Sequence, residues 1–325
     1  MRDHGGDLDR AKVLYGGQDW IDLSTGINRV PYPVGPIPPE AWTALPLSSA
    51  LHDLEQQAAQ TYRTQAEVTA LPGAQAAIQL VPRLSAPGRA AVLWPSYNEH
   101  SAALVAQGWQ VHQAPDLQAM EGADLAVVVN PNNPDGRFWP PATLAALAPK
   151  VGRLIVDESF ADPVPALSLA PYLHDLGENV IVLRSFGKFY GLAGLRLGFT
   201  LSGPQTAAQL RAHAGPWAVS GPALDIGQQA LADTDWQSTT TARLHTDSAR
   251  LCAIADDLGW PIVGQTALFV TLNTPDAAQV QTHLARAQIW SRIFPYSPTW
   301  LRLGLPGSEA EWARLEAALR TYRAT

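Results

Sequence analysis

The chain predicts an α/β fold, a large domain on a mostly parallel sheet joined to a smaller α+β domain. Three observations carry this. Apolar runs at residues 90–94, 124–129, 153–156, 179–184 and 197–201 have the length and β-branched content of buried strands. Helical patterns at 99–107 and 141–148 alternate with them, as expected where helices cover both faces of a parallel sheet. After about Gly215 the alternation gives way to long helices followed by separated strands. The boundaries read from this are an N-terminal segment 1–40 belonging to the small lobe, a large domain 41–215, and a C-terminal small domain 216–325.

Each element has its own local signal. Residues 7–15 read as a short helix stopped by Gly16-Gly17, and 29–39 is a connection rich in proline. A helix over 48–63 starts at a serine and carries Leu51, Leu54 and Ala58 on one face. Pro72-Gly73 opens a helix over 73–80. In the second half, helices are predicted at 223–231, 235–258 and 276–287, with strands at 267–272, 289–294 and 300–303. The capping box Ser308-Glu-Ala-Glu311 starts a closing helix.

Composition narrows the function classes. With 325 residues, 46% hydrophobic and 16% charged, the chain has material for a large core and lacks the profile of a disordered segment. A formal charge of -7 argues against broad nucleic-acid binding while leaving room for a local basic pocket. Cys252 is the only cysteine, which rules out an intrachain disulfide and a cysteine-rich metal site and fits a reducing cytoplasm. No window approaches the run of about 18 apolar residues that a membrane span requires. The expectation is a cytoplasmic enzyme with a small-molecule substrate and neither nucleic-acid nor membrane partner.

Only three lysines occur, Lys12, Lys150 and Lys188. Lys188 lies in Ser185-Phe-Gly-Lys-Phe-Tyr-Gly-Leu-Ala-Gly-Leu-Arg-Leu-Gly-Phe199, just beyond the carboxyl end of a predicted strand, where open α/β sheets collect ligands. A lysine amine can condense with an aldehyde, and burial beside positive charge lowers its pKa and makes the neutral amine accessible. Three further segments fall at strand ends or helix starts and supply what pyridoxal phosphate requires. In Leu71-Pro-Gly-Ala-Gln75 the amides of Gly73, Ala74 and Gln75 suit a phosphate. In Asn130-Pro-Asn-Asn-Pro-Asp-Gly136, Asn133 can donate to a phenolate oxygen, although alone the segment reads as a pair of turns. In Val156-Asp-Glu-Ser-Phe160, Asp157 can keep a pyridine nitrogen protonated. Tyr97 offers a face to stack on the ring, and Ser185 and Arg196 can bind the cofactor phosphate.

On these residues the chain resembles fold-type-I pyridoxal-phosphate enzymes, nearly end to end. The similarity is to the branch that contains histidinol-phosphate aminotransferase and the threonine-phosphate decarboxylases of cobalamin synthesis. The resemblance implies a two-lobed fold and a homodimer with Lys188 and Asp157 as catalytic residues. It also implies that Arg302 holds a substrate carboxylate and Arg292 a substrate phosphate, although a guanidinium suits both oxyanions and residue type alone does not allocate them.

Three features bear on the reaction. The opening His4-Gly-Gly-Asp7, followed by Trp20-Ile-Asp-Leu-Ser-Thr-Gly-Ile-Asn28, is similar to the start of the decarboxylases, which places His4 and Asn28 among the substrate-binding residues. Phe160 stands where the aminotransferases usually carry a tyrosine. Leu45-Pro46 replaces a Tyr-Pro whose tyrosine reaches the partner subunit's cofactor, and Arg29 stands where a proline usually follows the asparagine. The resemblance therefore implies decarboxylation of O-phospho-L-threonine to (R)-1-amino-2-propanol O-2-phosphate, with a histidinol-phosphate or related aminotransferase as the alternative. A binding protein that retains the cofactor pocket is the reading from another class.

Overall fold

A computed structural model describes residues 4–322. In chain order its elements begin α1 (Leu8–Tyr15), β1 (Ile21–Asp22), α2 (Pro39–Thr43), α3 (Ser48–Thr61), β2 (Glu67–Leu71) and α4 (Ala74–Leu80). There follow β3 (Arg89–Leu93), α5 (Asn98–Ala106), β4 (Gln110–Ala114), β5 (Leu125–Val129), α6 (Pro141–Leu147) and β6 (Leu154–Asp157). Next come α7 (Leu173–Leu176), β7 (Val180–Ser185), β8 (Gly198–Ser202), α8 (Pro204–Ala214), α9 (Gly221–Ala232) and α10 (Thr234–Asp257). The last are β9 (Ile262–Thr266), β10 (Phe269–Asn273), α11 (Ala277–Arg286), β11 (Ile289–Trp290), β12 (Arg292–Phe294), β13 (Ser297–Gly304) and α12 (Glu309–Thr321). No helix among the described residues is long and apolar enough to cross a membrane.

The chain forms two compact units. The larger comprises residues 32–133 and 137–237, and the smaller residues 1–31, 134–136 and 238–325. The sequence-based limits at 40 and 215 differ from these. Residues 216–237 fall in the larger unit because α9 packs on α3: a Cβ at Gly227 would lie 3.0 Å from Leu54 Cδ1 and 2.6 Å from Leu197 Cδ2.

The larger unit holds a seven-stranded sheet of order β2-β8-β7-β6-β5-β3-β4. Strands β7, β6, β5, β3 and β4 run parallel, and β8 is antiparallel to both β7 and β2. The central β5, Leu-Ala-Val-Val-Val, is buried at every position, as its unbroken apolar run requires of a strand covered on both faces. Leu71, Ile78, Leu104, Leu125, Ile155 and Leu183 belong to one continuous core. The strand order reverses between β3 and β5. The chain leaves β3 toward the edge strand β4 and leaves β5 toward β6 on the opposite side, so a crevice opens at their carboxyl ends.

The smaller unit pairs β1 with β11 in parallel and builds an antiparallel sheet of order β12-β13-β10-β9. The single strand predicted over 289–294 is two strands in different sheets, separated at the buried Ser291. Ser308 caps α12, its side chain accepting from the Glu311 amide.

Candidate active site

Five strand ends of the larger unit deliver side chains to one cavity of ≈ 240 Å³. From β7 come Ser185 and, in the loop beyond, Gly187 and Lys188; β6 ends on Asp157, with Ser159 and Phe160 following. Asn133 follows β5, Tyr97 follows β3, and the turn after β2 supplies Gly73, Ala74 and Gln75. Arg196 completes the wall just before β8. All nine residues assigned to the cofactor from sequence therefore line the same space.

Local geometry explains how the Gly73–Gln75 turn and Arg196 approach each other. Gly73 has φ +86°, a region that side chains disfavour, and a Cβ there would stand 2.9 Å from Arg196 Nη2. Arg196 is itself left-handed at φ 56°, and its Nη1 donates to the Ala193 carbonyl at 3.0 Å. Gly198 admits the start of β8 beneath α4, since a Cβ at that position would lie 2.3 Å from the Ala74 nitrogen. The Gly73 amide donates to the Leu71 carbonyl at 2.7 Å and the Ala76 amide to the Gly73 carbonyl at 3.0 Å. Of the three amides assigned from sequence it is therefore those of Ala74 and Gln75, at the start of α4, that have no acceptor within the helix and can meet an anion.

Asp157 is 2% exposed, and both carboxylate oxygens are engaged. Ser159 Oγ and the Ser159 amide donate to Oδ1 at 2.5 and 3.0 Å, and His100 Nε2 lies 2.8 Å from Oδ2. Burial pushes this carboxyl up, but the hydrogen bonds from His100 and Ser159 outweigh burial and hold it below its ordinary value. An ionised carboxylate is thus kept in a buried place. His100, in the first turn of α5 and 4% exposed, is the residue that the sequence reading missed. The available signal was a histidine and Glu99 together at the start of an otherwise apolar helix; Gln75 Nε2 donates to Glu99 Oε2 at 3.1 Å.

Phe160 is buried, and its ring centroid is 5.5 Å from Lys188 Nζ, so an apolar face borders the amine where a tyrosine would add a hydroxyl. Beside Asp157 and Ser185, the buried Glu158 and Arg184 pair at 2.9 Å, tying the ends of β6 and β7 together. Arg184 also pairs with Asp162 at 2.6 Å and lies 4.3 Å from the Tyr62 ring centroid. Burial raises the Glu158 carboxyl above its ordinary value against the opposing effect of Arg184, Ser168 and Leu169.

The four substrate residues assigned from sequence lie in the smaller unit. Arg302 on β13 is 5% exposed, donates from Nη2 to the Ser24 carbonyl at 2.6 Å, and lies 5.1 Å from the Phe269 ring centroid. Arg292 stands directly opposite it on β12, over Phe294. Two like charges are thereby placed directly opposite each other across a strand pair. His4 is exposed. The glycines that follow it rest on Ser24, whose hydroxyl accepts from the Gly6 amide at 2.7 Å. Asn28 Oδ1 is taken by Arg243 Nη2 at 2.7 Å and the Val30 amide at 3.0 Å.

Comparison with known proteins matches residues 40–319 to the family model for aminotransferase class I and II. A threonine-phosphate decarboxylase from Sinorhizobium sp. is 43% identical, with 97% of each chain covered. One from Pseudomonas aeruginosa is also 43% identical, over 99% of this chain and 98% of that one. The structure of histidinol-phosphate aminotransferase from Sinorhizobium meliloti, solved in complex with pyridoxal-5'-phosphate, superposes with a TM-score of 0.80 at 24% identity and covers 99% of this chain and 96% of that one. The strand-end cavity, the fold and the full-length relatives agree, and the chain belongs to the class I and II aminotransferase family.

Proposed function

We propose that this protein is a pyridoxal-phosphate-dependent threonine-phosphate decarboxylase, which removes carbon dioxide from O-phospho-L-threonine and leaves (R)-1-amino-2-propanol O-2-phosphate for cobalamin biosynthesis. The observation that carries the reading is the 43% identity, end to end, to two relatives of that name.

The cavity suits the cofactor. Gly73 leaves room for close approach beside Arg196, Ser185 adds a hydroxyl, and Asp157 is a buried carboxylate held ionised. When bound, pyridoxal phosphate supplies an aldehyde for amines and a ring that takes up the electron pair left on Cα as carbon dioxide departs. Arg196, Ser185 and the amides of Ala74 and Gln75 would hold the phosphate, and Gly73, by lacking a side chain, would leave room for it beside Arg196. Asp157 keeps a proton on the pyridine nitrogen, Asn133 donates to the phenolate oxygen, and Tyr97 covers one face. Lys188 contributes its amine and returns a proton to Cα in place of the lost carboxyl group.

Arg302 and Arg292 bind the substrate carboxylate and phosphate respectively, with His4 and Asn28 assisting. Support comes from Arg292 and Arg302 standing opposite each other in the β12–β13 register and from the seating of the His4-Gly5-Gly6 segment on Ser24, the residue that anchors Arg302. Phe160, apolar beside Lys188, favours decarboxylation over the aminotransferase alternative because the tyrosine hydroxyl usual there is missing. The reading includes a cytoplasmic homodimer.

The test is a substrate panel on purified, cofactor-loaded protein, with its sedimentation recorded alongside. Phosphothreonine is expected to turn over without any keto acid, and the protein to sediment at twice the chain mass. Turnover of histidinol phosphate that depends strictly on 2-oxoglutarate contradicts the assignment.

A further inference from the structure

The loops that carry Tyr97 and Asn133 leave adjacent strands, β3 and β5, at the point where the strand order reverses. Their onward paths diverge, so sheet hydrogen bonding ends just where the two side chains must be held at a fixed separation. A polar clasp bridges them. Ser96 Oγ donates to Asn132 Oδ1 at 2.8 Å, and Asn132 Nδ2 donates to the Pro95 carbonyl at 2.8 Å. The Asn132 amide donates to the Arg137 carbonyl at 2.7 Å, and Arg137 Nη2 reaches back to the Trp94 carbonyl at 3.1 Å. Three consecutive residues of the β3 loop, 94 to 96, are thereby tied to the β5 loop. Asn132 is fully buried and is absent from the cavity wall, whereas its neighbour Asn133 and the clasped loop's Tyr97 both line it.

We infer that Asn132 is a positioning residue that sets the angle between the Tyr97 face and the Asn133 amide, and through it the tilt of the bound ring. This rests on the reading that the cavity holds pyridoxal phosphate. A ring held by these residues would stack on Tyr97 and accept from Asn133 at once, two requirements that loops moving independently would not satisfy together. Asp157, Ser185 and Lys188 belong to other strand ends, so loosening the clasp changes ring orientation without removing the amine or the acid.

The experiment measures pyridoxal phosphate itself, by its dissociation constant and by the circular dichroism of its visible band. Asn132→Ala removes the hydrogen bonds to Ser96 Oγ and the Pro95 carbonyl and is expected to weaken cofactor binding by about tenfold. It should also alter the ellipticity of the band and lower kcat with little change in substrate KM. Ser96→Ala should move both cofactor readouts the same way by less, and the double variant should be no worse than Asn132→Ala, because both residues act in one network. Unchanged affinity and an unchanged band in Asn132→Ala overturn the inference. If that variant fails to fold, the same result in Ser96→Ala overturns it. Wild-type protein that takes up no pyridoxal phosphate overturns the underlying reading and this inference with it.

Discussion

The role proposed for Asp157 requires that it stay ionised, and burial at the end of β6 works against that. His100 and Ser159 reverse the outcome, and the sign of the effect makes it testable. A carboxyl held below its ordinary value adds stability that is present above the unfolded pKa and lost as pH falls through the folded one, below about pH 4. In His100→Ala burial dominates, the carboxyl moves up, and its contribution at neutral pH becomes unfavourable. Denaturant titrations of the apoprotein should therefore show a larger stability gap between wild type and His100→Ala at pH 7 than at pH 3; a gap that does not grow toward neutral pH contradicts the pairing. Lys188 was legible because lysine is rare in this chain and follows an apolar strand. His100 was not, since its partner is 57 positions away and the one local signal, a histidine beside Glu99 opening an apolar helix, does not say what the histidine meets.

The strands legible from sequence were those buried on both faces, such as β5 and β6, whose apolar runs have no other use. The edge strand β4, Gln-Val-His-Gln-Ala, is mostly exposed and reads as loop, and β2 begins on the exposed Glu67. The helix α8 escaped because its buried positions, Thr206, Ala207 and Leu210, include only one large apolar residue. The separation of β11 from β12 depends on a change of partner strand, which no local pattern records. Contact between β8 and α4 is likewise nonlocal, and it depends on Gly198 having no side chain, since a Cβ there would lie 2.3 Å from the Ala74 nitrogen. Gly198→Ala should cost about 1–3 kcal/mol by overpacking, and should weaken cofactor binding by displacing the Ala74 amide. Equilibrium unfolding and a cofactor titration measure the two effects; loss of stability with unchanged affinity contradicts a role for that amide.

Across the whole molecule, a mostly parallel sheet with one reversal of strand order gathers five strand ends around one cavity, and this topology is why residues spread from Gly73 to Arg196 meet. The order of those strands was not readable, but the placement at strand ends or helix starts of the nine residues assigned to the cofactor was, and the structure brings those nine to one cavity. The smaller unit carries the paired arginines on neighbouring strands, a juxtaposition set by β12–β13 register and invisible in their ten-residue spacing. The central claim is that the assembled enzyme breaks the bond from Cα to the carboxyl carbon. Carboxyl-labelled phosphothreonine turned over in deuterated water measures this directly. The account predicts labelled carbon dioxide equal to the substrate consumed, with one deuteron at Cα of the aminopropanol phosphate and no keto acid required. Retention of the label in a keto acid product, formed only with 2-oxoglutarate present, would contradict it.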